Sequence, residues 1–485
     1  MKIFLENYLW IFSSLIWINM LLAILLIFFE RRDPTSTWLW IMALTFLPGI
    51  GFILYLFIGQ DLSKQKMFKT KEEEDNHFRG LALMQNQEIN EGKFQYIDPN
   101  FQKYEDHIKM HLMNSDAYFT QNNNVDLFFT GEEKFEAMLE SISKAKEYIY
   151  IEYYIFKSDR IGSKFIDALS KKAKEGIDVK LLVDGMGGRN LSKKSKKQLE
   201  DAGVGFAVFF PPFVPWLSIR LNYRNHRKIC IVDGREAYVG GFNIGDEYLG
   251  RSKKFGHWRD THIRIKGSAI SSLQWRFFLD WRFATKEDLT QRQSYLHHRD
   301  DLYHVGMQIV TSGPDSKWPS VKDGYLKTIS DAREKIYIET PYFIPDDSIY
   351  EALRLAGLSG LDVRVMIPNK PDHPFVYWAS MSYIGGLLQA GVKFYTYEKG
   401  FLHSKVVVAD DFVSSVGTAN LDIRSFKLNF EVNAFIYDES INLKLTENFI
   451  KDLKYCKEIT LEAYKNRSNI VKLKESVSRL LSPIL

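Results

Sequence analysis

At 485 residues the chain is long enough for two or three domains with full-size cores, and its 45% hydrophobic and 26% charged residues give an ordinary globular balance with an aromatic excess. A net charge of +4 is too small to mark a nucleic-acid binder. The two cysteines, Cys230 and Cys456, belong to no Cys-x-x-Cys pair, which excludes a disulfide framework and a thiolate metal site and fits a reducing compartment.

Tyr8 to Phe29 is a run of 22 residues without a charge and Ser36 to Gly59 is a second of 24. Each is enough to cross a hydrocarbon core, which takes about 20 helical residues. With the polar turn Glu30 to Pro34 between them, residues 1–60 read as a two-helix transmembrane hairpin. No Ala-x-Ala-like site follows the first run, which argues against a cleaved signal peptide. Lys2 before the first span and Lys64, Lys66, Lys69 and Lys71 after the second outweigh Arg31 and Arg32 in the turn, which places both ends and the catalytic body on the cytoplasmic side. Residues 61–115 are polar, carry the acidic run Glu72 to Asp75, and read as a helical connector lifting the body off the membrane.

The body is an internal duplication of α/β class. Ile149 to Phe156 matches Ile336 to Phe343, Gly176 to Val183 matches Gly360 to Ile367, and Ala202 to Val204 matches Ala390 to Val392. Short β-branched runs alternating with helical stretches predict a sheet covered on both faces in each half, 116–300 and 301–485, related by a pseudo-twofold axis. The first half carries eleven extra residues before its motif, since Gly203 to His226 is 23 positions and Gly391 to His403 is 12. They fall in the apolar stretch Phe209 to Arg220, which predicts either packing on the partner domain or contact of Phe213 and Trp216 with the bilayer, Arg220 and Arg224 lying at headgroup level. The basic cluster Lys193 to Lys197 reads as a solvated helix face. Ile470, Leu473, Val477, Leu480 and Leu481 have helical spacing and predict a closing amphipathic helix packed on the second domain.

Two matching stretches carry chemistry. His226-Arg227-Lys228 is followed by aliphatic residues and Asp233; His403-Ser404-Lys405 is followed the same way by Asp410. On a strand the imidazole and ammonium of each copy share a face. Six residues separate each aspartate from a glycine loop that presents an amide, Gly240-Gly241-Phe242-Asn243 in one half and Gly417-Thr418-Ala419-Asn420 in the other.

Lysines and asparagines are donors suited to the nonbridging oxygens of phosphate, so Asn243 and Asn420 are expected to bind phosphate beside Lys228 and Lys405. One neutral imidazole can attack phosphorus while the other, protonated, gives its proton to the departing alkoxide. Asp233 and Asp410 are grouped with the catalytic residues, although Asp233-Gly234 also suits a hairpin turn whose carboxylate only fixes backbone amides. Asp260 and Glu431 are expected to orient the histidines through the second ring nitrogen. Lysine beside each histidine repels cations, and there is no Gly-rich phosphate loop, so no metal or other cofactor is expected.

These residues resemble the phospholipase D superfamily, whose double His-x-Lys-x4-Asp signature is matched at every position. Within it the whole chain is similar to the bacterial cardiolipin synthases, through Pro48, Gly51 and Tyr55, Trp258-Arg259-Asp260, Asn420-Leu421-Asp422, Arg424-Ser425 and Arg479 to Pro483. The resemblance implies a phosphatidyltransferase of the cell membrane in which one phosphatidylglycerol gives its phosphatidyl group to the enzyme and a second accepts it, yielding cardiolipin and glycerol. It also implies His226 as nucleophile and His403 as acid and base. The partners implied are phosphatidylglycerol and anionic membrane lipids, with no nucleic acid. A hydrolase of membrane phosphodiesters would use water as acceptor, and a membrane scaffold would use neither motif; oligomeric state is not legible.

Overall fold

The repeated segments become the strands of one sheet in the computed structural model, which describes residues 17–21, 24, 34–47, 51, 76–211, 223–290, 303–370 and 372–482. The chain divides into two units, Met1–Glu73 with Pro212–Tyr223, and Glu74–Pro211 with Arg224–Leu485. In the first unit Pro34–Phe46 is an uncharged helix of 13 residues. No helix among the described residues is long and apolar enough to cross a membrane. Most of both expected spans, and the insertion with Phe213 and Trp216, lie outside the described residues.

In the second unit the first half supplies β1 (Thr120–Phe128), β2 (Tyr148–Tyr153), β3 (Asp178–Asp184), β4 (Gly205–Phe209), β5 (Arg224–Asn225), β6 (Lys228–Val232), β7 (Glu236–Gly240), β8 (His257–Arg259) and β9 (His262–Gly267). The second half supplies β10 (Val305–Ser312), β11 (Lys335–Glu339), β12 (Phe343–Ile344), β13 (Asp362–Pro368), β14 (Lys393–Tyr397), β15 (Gly400–Leu402), β16 (Val406–Ala409), β17 (Val413–Gly417), β18 (Leu421–Asp422), β19 (Asn429–Tyr437) and β20 (Cys456–Ile459). In each half three strands run parallel, β2-β3-β4 and β11-β13-β14. An antiparallel set follows, β6-β7-β9-β1 and β16-β17-β19-β10.

The two sets join edge to edge where β1 pairs with β10, so the halves share one continuous sheet. All six residues of β2 are buried, as befits a strand covered on both faces. The covering helix Arg160–Lys174 buries Ile161, Phe165, Ile166 and Leu169, and Asp159 caps it by accepting from the Gly162 amide at 3.1 Å.

Two expectations change here. The connector is not a free spacer: Ala82, Ile89, Phe101, Ile108 and Leu112 belong to the core of the second half, and His107 Nδ1 bonds the Tyr437 hydroxyl at 2.7 Å. Its apolar anchors are too widely spaced to show as a period. The closing helix Asn469–Leu480 also departs from expectation, because it turns Glu475 and Ser478 inward and leaves Ile470, Leu473, Val477 and Leu480 exposed. Its buried ion pair with Arg467 decides the rotation, since Arg467 and Glu475 meet at 2.6 Å.

Candidate active site

Each histidine sits in the link between two strands, His226 after β5 and His403 after β15, and each of those strands pairs with the other half of the molecule. β5 runs parallel to β19, with Asn225 opposite Phe430, and β15 runs parallel to β8, with Leu402 opposite Arg259. The His226 amide donates to the Phe430 carbonyl at 2.9 Å and the His403 amide to the Arg259 carbonyl at 2.7 Å. The next residues along those partner strands are Glu431 and Asp260, so backbone pairing delivers each carboxylate to the histidine of the opposite half.

His226 Nδ1 lies 3.0 Å from Glu431 Oε1, and His403 Nδ1 lies 2.7 Å from Asp260 Oδ2. Burial works to raise both carboxyls, but the facing imidazole and lysine outweigh it: His226 and Lys228 hold Glu431 below the usual range, and Lys405 and His403 do so for Asp260. An ionised carboxylate at Nδ1 fixes the ring proton there and leaves Nε2 with its lone pair. Thr418 adds a hydroxyl bond to Glu431 at 2.6 Å, and Asp260 accepts from the Thr261 amide at 2.8 Å.

Burial pushes the pKa of both histidines down to about 4, so both rings are neutral in the resting site at neutral pH. Burial likewise lowers Lys228 to about 7 and Lys405 to about 8. Each imidazole feels the ammonium of the other motif, Lys405 at His226 and Lys228 at His403, so the two motifs form one electrostatic site. The ammonium groups turn back toward their own histidines, Lys228 to the His226 carbonyl at 2.7 Å and Lys405 to the His403 carbonyl.

Beneath the pair lie two buried arginines, both from the first half. Arg259 Nη1 donates to the Asp260 carbonyl and to Thr261 Oγ1, while its Nε reaches Asp452 at 2.5 Å and its Nη2 reaches Glu339 at 3.2 Å. Arg227 Nε donates to the Glu431 carbonyl at 3.2 Å and its Nη1 pairs with Asp280. Each guanidinium therefore ties down the main chain of one orienting acid. The second half has Phe430 where the first has Arg259, and Arg227 covers that ring at 5.3 Å.

The remaining expected residues are placed differently. Asp233 and Asp410, grouped with the catalytic residues by the motif, lie at the far ends of β6 and β16 and act on backbone instead. Asp233 accepts from the amides of Lys146, Glu147 and Tyr148 at 2.8 to 2.9 Å, and Asp410 from those of Arg333, Glu334 and Lys335 at 2.8 to 3.2 Å. Both adopt left-handed backbone, φ 52° and 48°, which aspartate tolerates in such a turn. Asn243 spends its carboxamide on structural bonds, accepting from the Ile155 amide just after β2 and donating to the Tyr248 hydroxyl, each at 3.1 Å. Asn420 donates to Asp422 at 3.1 Å and its Oδ1 has no hydrogen-bond partner among the described residues.

Three neighbours of the histidines were given no role by the sequence. Tyr154 packs edge-on to His226 with ring centres 5.1 Å apart, and Pro341 holds its place in the repeat. Trp258 lies 5.2 Å from the His403 ring, and its indole N–H is buried without a partner among the described residues. Gly241 abuts the orienting acid, for a Cβ there would stand 1.9 Å from Asp260 Oδ1. Gly241→Ala is expected to lower kcat roughly 10- to 100-fold by displacing that carboxylate. The check is kcat beside a thermal melt, and a folded variant with wild-type kcat would refute it.

The family described as cardiolipin synthase, PLD-like domain, matches residues 138–272 and 325–453, and the Phospholipase D-nuclease N-terminal family matches residues 15–60. The chain is 51% identical over 469 residues to the major cardiolipin synthase ClsA of Bacillus subtilis, covering 96% of this chain and 97% of that one. It is 49% identical to a cardiolipin synthase of Clostridium perfringens, covering 94% and 95%. Among solved structures, the phosphatidylserine synthase of Haemophilus influenzae superposes with a TM-score of 0.60 at 16% identity, over 78% of this chain and all of that one, which shows a shared fold.

Proposed function

The chain belongs to the PLD-like cardiolipin synthase family, and from that premise we propose that it makes cardiolipin and glycerol from two molecules of phosphatidylglycerol. The observation that carries this reading is the crossed pair of carboxylate-held imidazoles, 3.0 and 2.7 Å from their acids, in one site with two lysines.

In the first step His226 Nε2 attacks phosphorus, the bond from phosphorus to the headgroup glycerol breaks, and His403 gives its proton to the departing alkoxide. The resting His403 is neutral, and the arriving phosphodiester anion raises its pKa, so His403 takes up a proton from water as the substrate binds. Lys228 and Lys405 neutralise the nonbridging oxygens as charge gathers on them. In the second step His403 takes a proton from the glycerol hydroxyl of another phosphatidylglycerol, whose oxygen displaces His226 from phosphorus. One phosphodiester is made as one is broken, so no activated donor is consumed.

The site of action is the membrane, with residues 1–60 as a two-span hairpin and the catalytic halves cytoplasmic. The two uncharged runs and the N-terminal family match over residues 15–60 support this. The test is purified full-length protein in phosphatidylglycerol liposomes, without nucleotide or metal, with products read by mass spectrometry. Cardiolipin and glycerol in equal amounts are expected. Phosphatidic acid alone would make the protein a hydrolase, and an unchanged lipid would make it a scaffold.

A further inference from the structure

The closing helix Asn469–Leu480 presents its apolar side to the outside. Ile470, Leu473, Val477 and Leu480 are 67%, 65%, 47% and 74% exposed, whereas Glu475 and Ser478 are each 2% exposed. At 100° per residue the four apolar side chains form one stripe, bordered on one side by Lys474 and on the other by Lys472 and Arg479.

The polar inner face is fixed to the body by specific contacts. Arg467 pairs with Glu475 at 2.6 Å, Arg479 donates to the Ser382 carbonyl at 3.3 Å with its guanidinium 4.5 Å from the Tyr383 ring, and the Lys474 ammonium lies 5.2 Å from Trp378. Trp378, Ser382 and Tyr383 all lie on the helix Pro374–Gln389, whose first turn leaves Phe375 55% exposed. Just ahead of that turn, Asp372 accepts from the Tyr342 hydroxyl, and its charge is felt at Lys405. The exposed stripe is thus mounted on the helix that begins beside the second motif.

We propose that this stripe docks onto the surface of an anionic bilayer and holds the second-half side of the site against the lipid that serves as substrate. The charges fit that occupant: in residues 466–482 Arg467 and the single acid Glu475 cancel as a pair, which leaves the cations Lys472, Lys474 and Arg479 with no opposing acid. A second copy of the chain fits less well. A twelve-residue helix is about 18 Å long, and four side chains fall far short of the roughly 20 to 30 residues a stable interface takes from each side. Twofold-related copies would also bring like-charged borders together.

The proposal deepens the lipid-transfer reading but is tested without turnover. Full-length protein with Leu473→Cys carrying an environment-sensitive fluorophore is reconstituted into vesicles of zwitterionic lipid alone or with one third phosphatidylglycerol, with equally labelled wild-type protein as background. A blue shift in the phosphatidylglycerol vesicles, quenched by nitroxide-bearing lipid, is the expected result. Solvent-like emission in both vesicles, or a blue shift that lipid nitroxide does not quench, as burial against a second copy would give, overturns it. The triple variant Ile470→Asn, Leu473→Asn, Val477→Asn is expected to lose roughly tenfold turnover on vesicles and to keep it on short-chain soluble phosphatidylglycerol. Equal loss on both substrates would place the helix in folding instead.

Discussion

His226→Ala is expected to abolish turnover and to trap no phosphoenzyme, while His403→Ala abolishes turnover on phosphatidylglycerol yet still forms the covalent intermediate from an ester whose leaving group needs no proton. A phosphatidyl ester of p-nitrophenol separates the two roles, because nitrophenolate departs as the anion. With it, His403→Ala should give a burst of one nitrophenolate per site followed by a stall, and His226→Ala no burst. On the natural substrate each loss should exceed roughly 1,000-fold, since a nucleophile or an acid placed for an alkoxide is worth at least that much. A phosphate adduct found on His403 would exchange the two roles. Full activity in either variant would end the two-step mechanism.

The pH dependence follows from burial. Both imidazoles have folded pKa values near 4, below the ordinary 6.5 of the unfolded chain. The unfolded state therefore binds more protons between those limits. Their contribution to stability is complete above about pH 6.5 and is lost as the pH falls through about 4. His107 adds to the same trend, since burial also takes it to about 4. Chemical denaturation at pH 7.5 and pH 5 should show the lower midpoint at pH 5, and an equal or higher midpoint there would contradict the neutral resting histidines.

How much of this was legible differs from residue to residue. The duplication was readable because a doubly covered sheet demands the same apolar runs in both halves, and β2 and β11 keep them. Asp260 and Glu431 could be suspected as orienters because each histidine needs a partner at its second nitrogen. That backbone pairing of β5 with β19 and of β15 with β8 brings them across was not readable, since pairing between distant segments leaves no local period. Asp233 and Asp410 show the reverse case. Spacing kept them in register with the histidines, but the strand that carries each lysine to one end carries the aspartate to the other. The closing helix misled because its period was correct while its phase was set by the ion pair of Glu475 with Arg467, just ahead of the helix.

The role of Arg259 was not legible for a further reason: its counterpart in the repeat is Phe430, so the duplication offered no matching pair. Its ion pairs suggest the largest effect of any residue outside the reacting groups. Arg259→Met leaves Glu339 and Asp452 buried without a countercharge. Breaking a buried pair in this way costs about 3–5 kcal/mol, a large share of the roughly 5–15 kcal/mol that holds a domain folded. That variant is expected to melt far earlier than wild type and to report on stability alone.

Arg259→Lys is the informative change, because it keeps the charge and removes the fork that holds both the Asp260 carbonyl and Thr261 Oγ1. It is expected to fold, to keep KM, and to lose roughly 10- to 100-fold in kcat as the carboxylate at His403 drifts. If Arg259 acts only through Asp260, adding Asp260→Asn should cost no more than Asp260→Asn alone, since a displaced carboxylate and an absent one impair the same imidazole. Losses that multiply would mean that Arg259 reaches the chemistry by another route, and a kcat loss matched by an equal loss of folded protein would reduce it to a structural ion pair. Arg227 offers the same experiment at the other histidine: its Nε holds the Glu431 carbonyl, so Arg227→Lys paired with Glu431→Gln should repeat the pattern at His226.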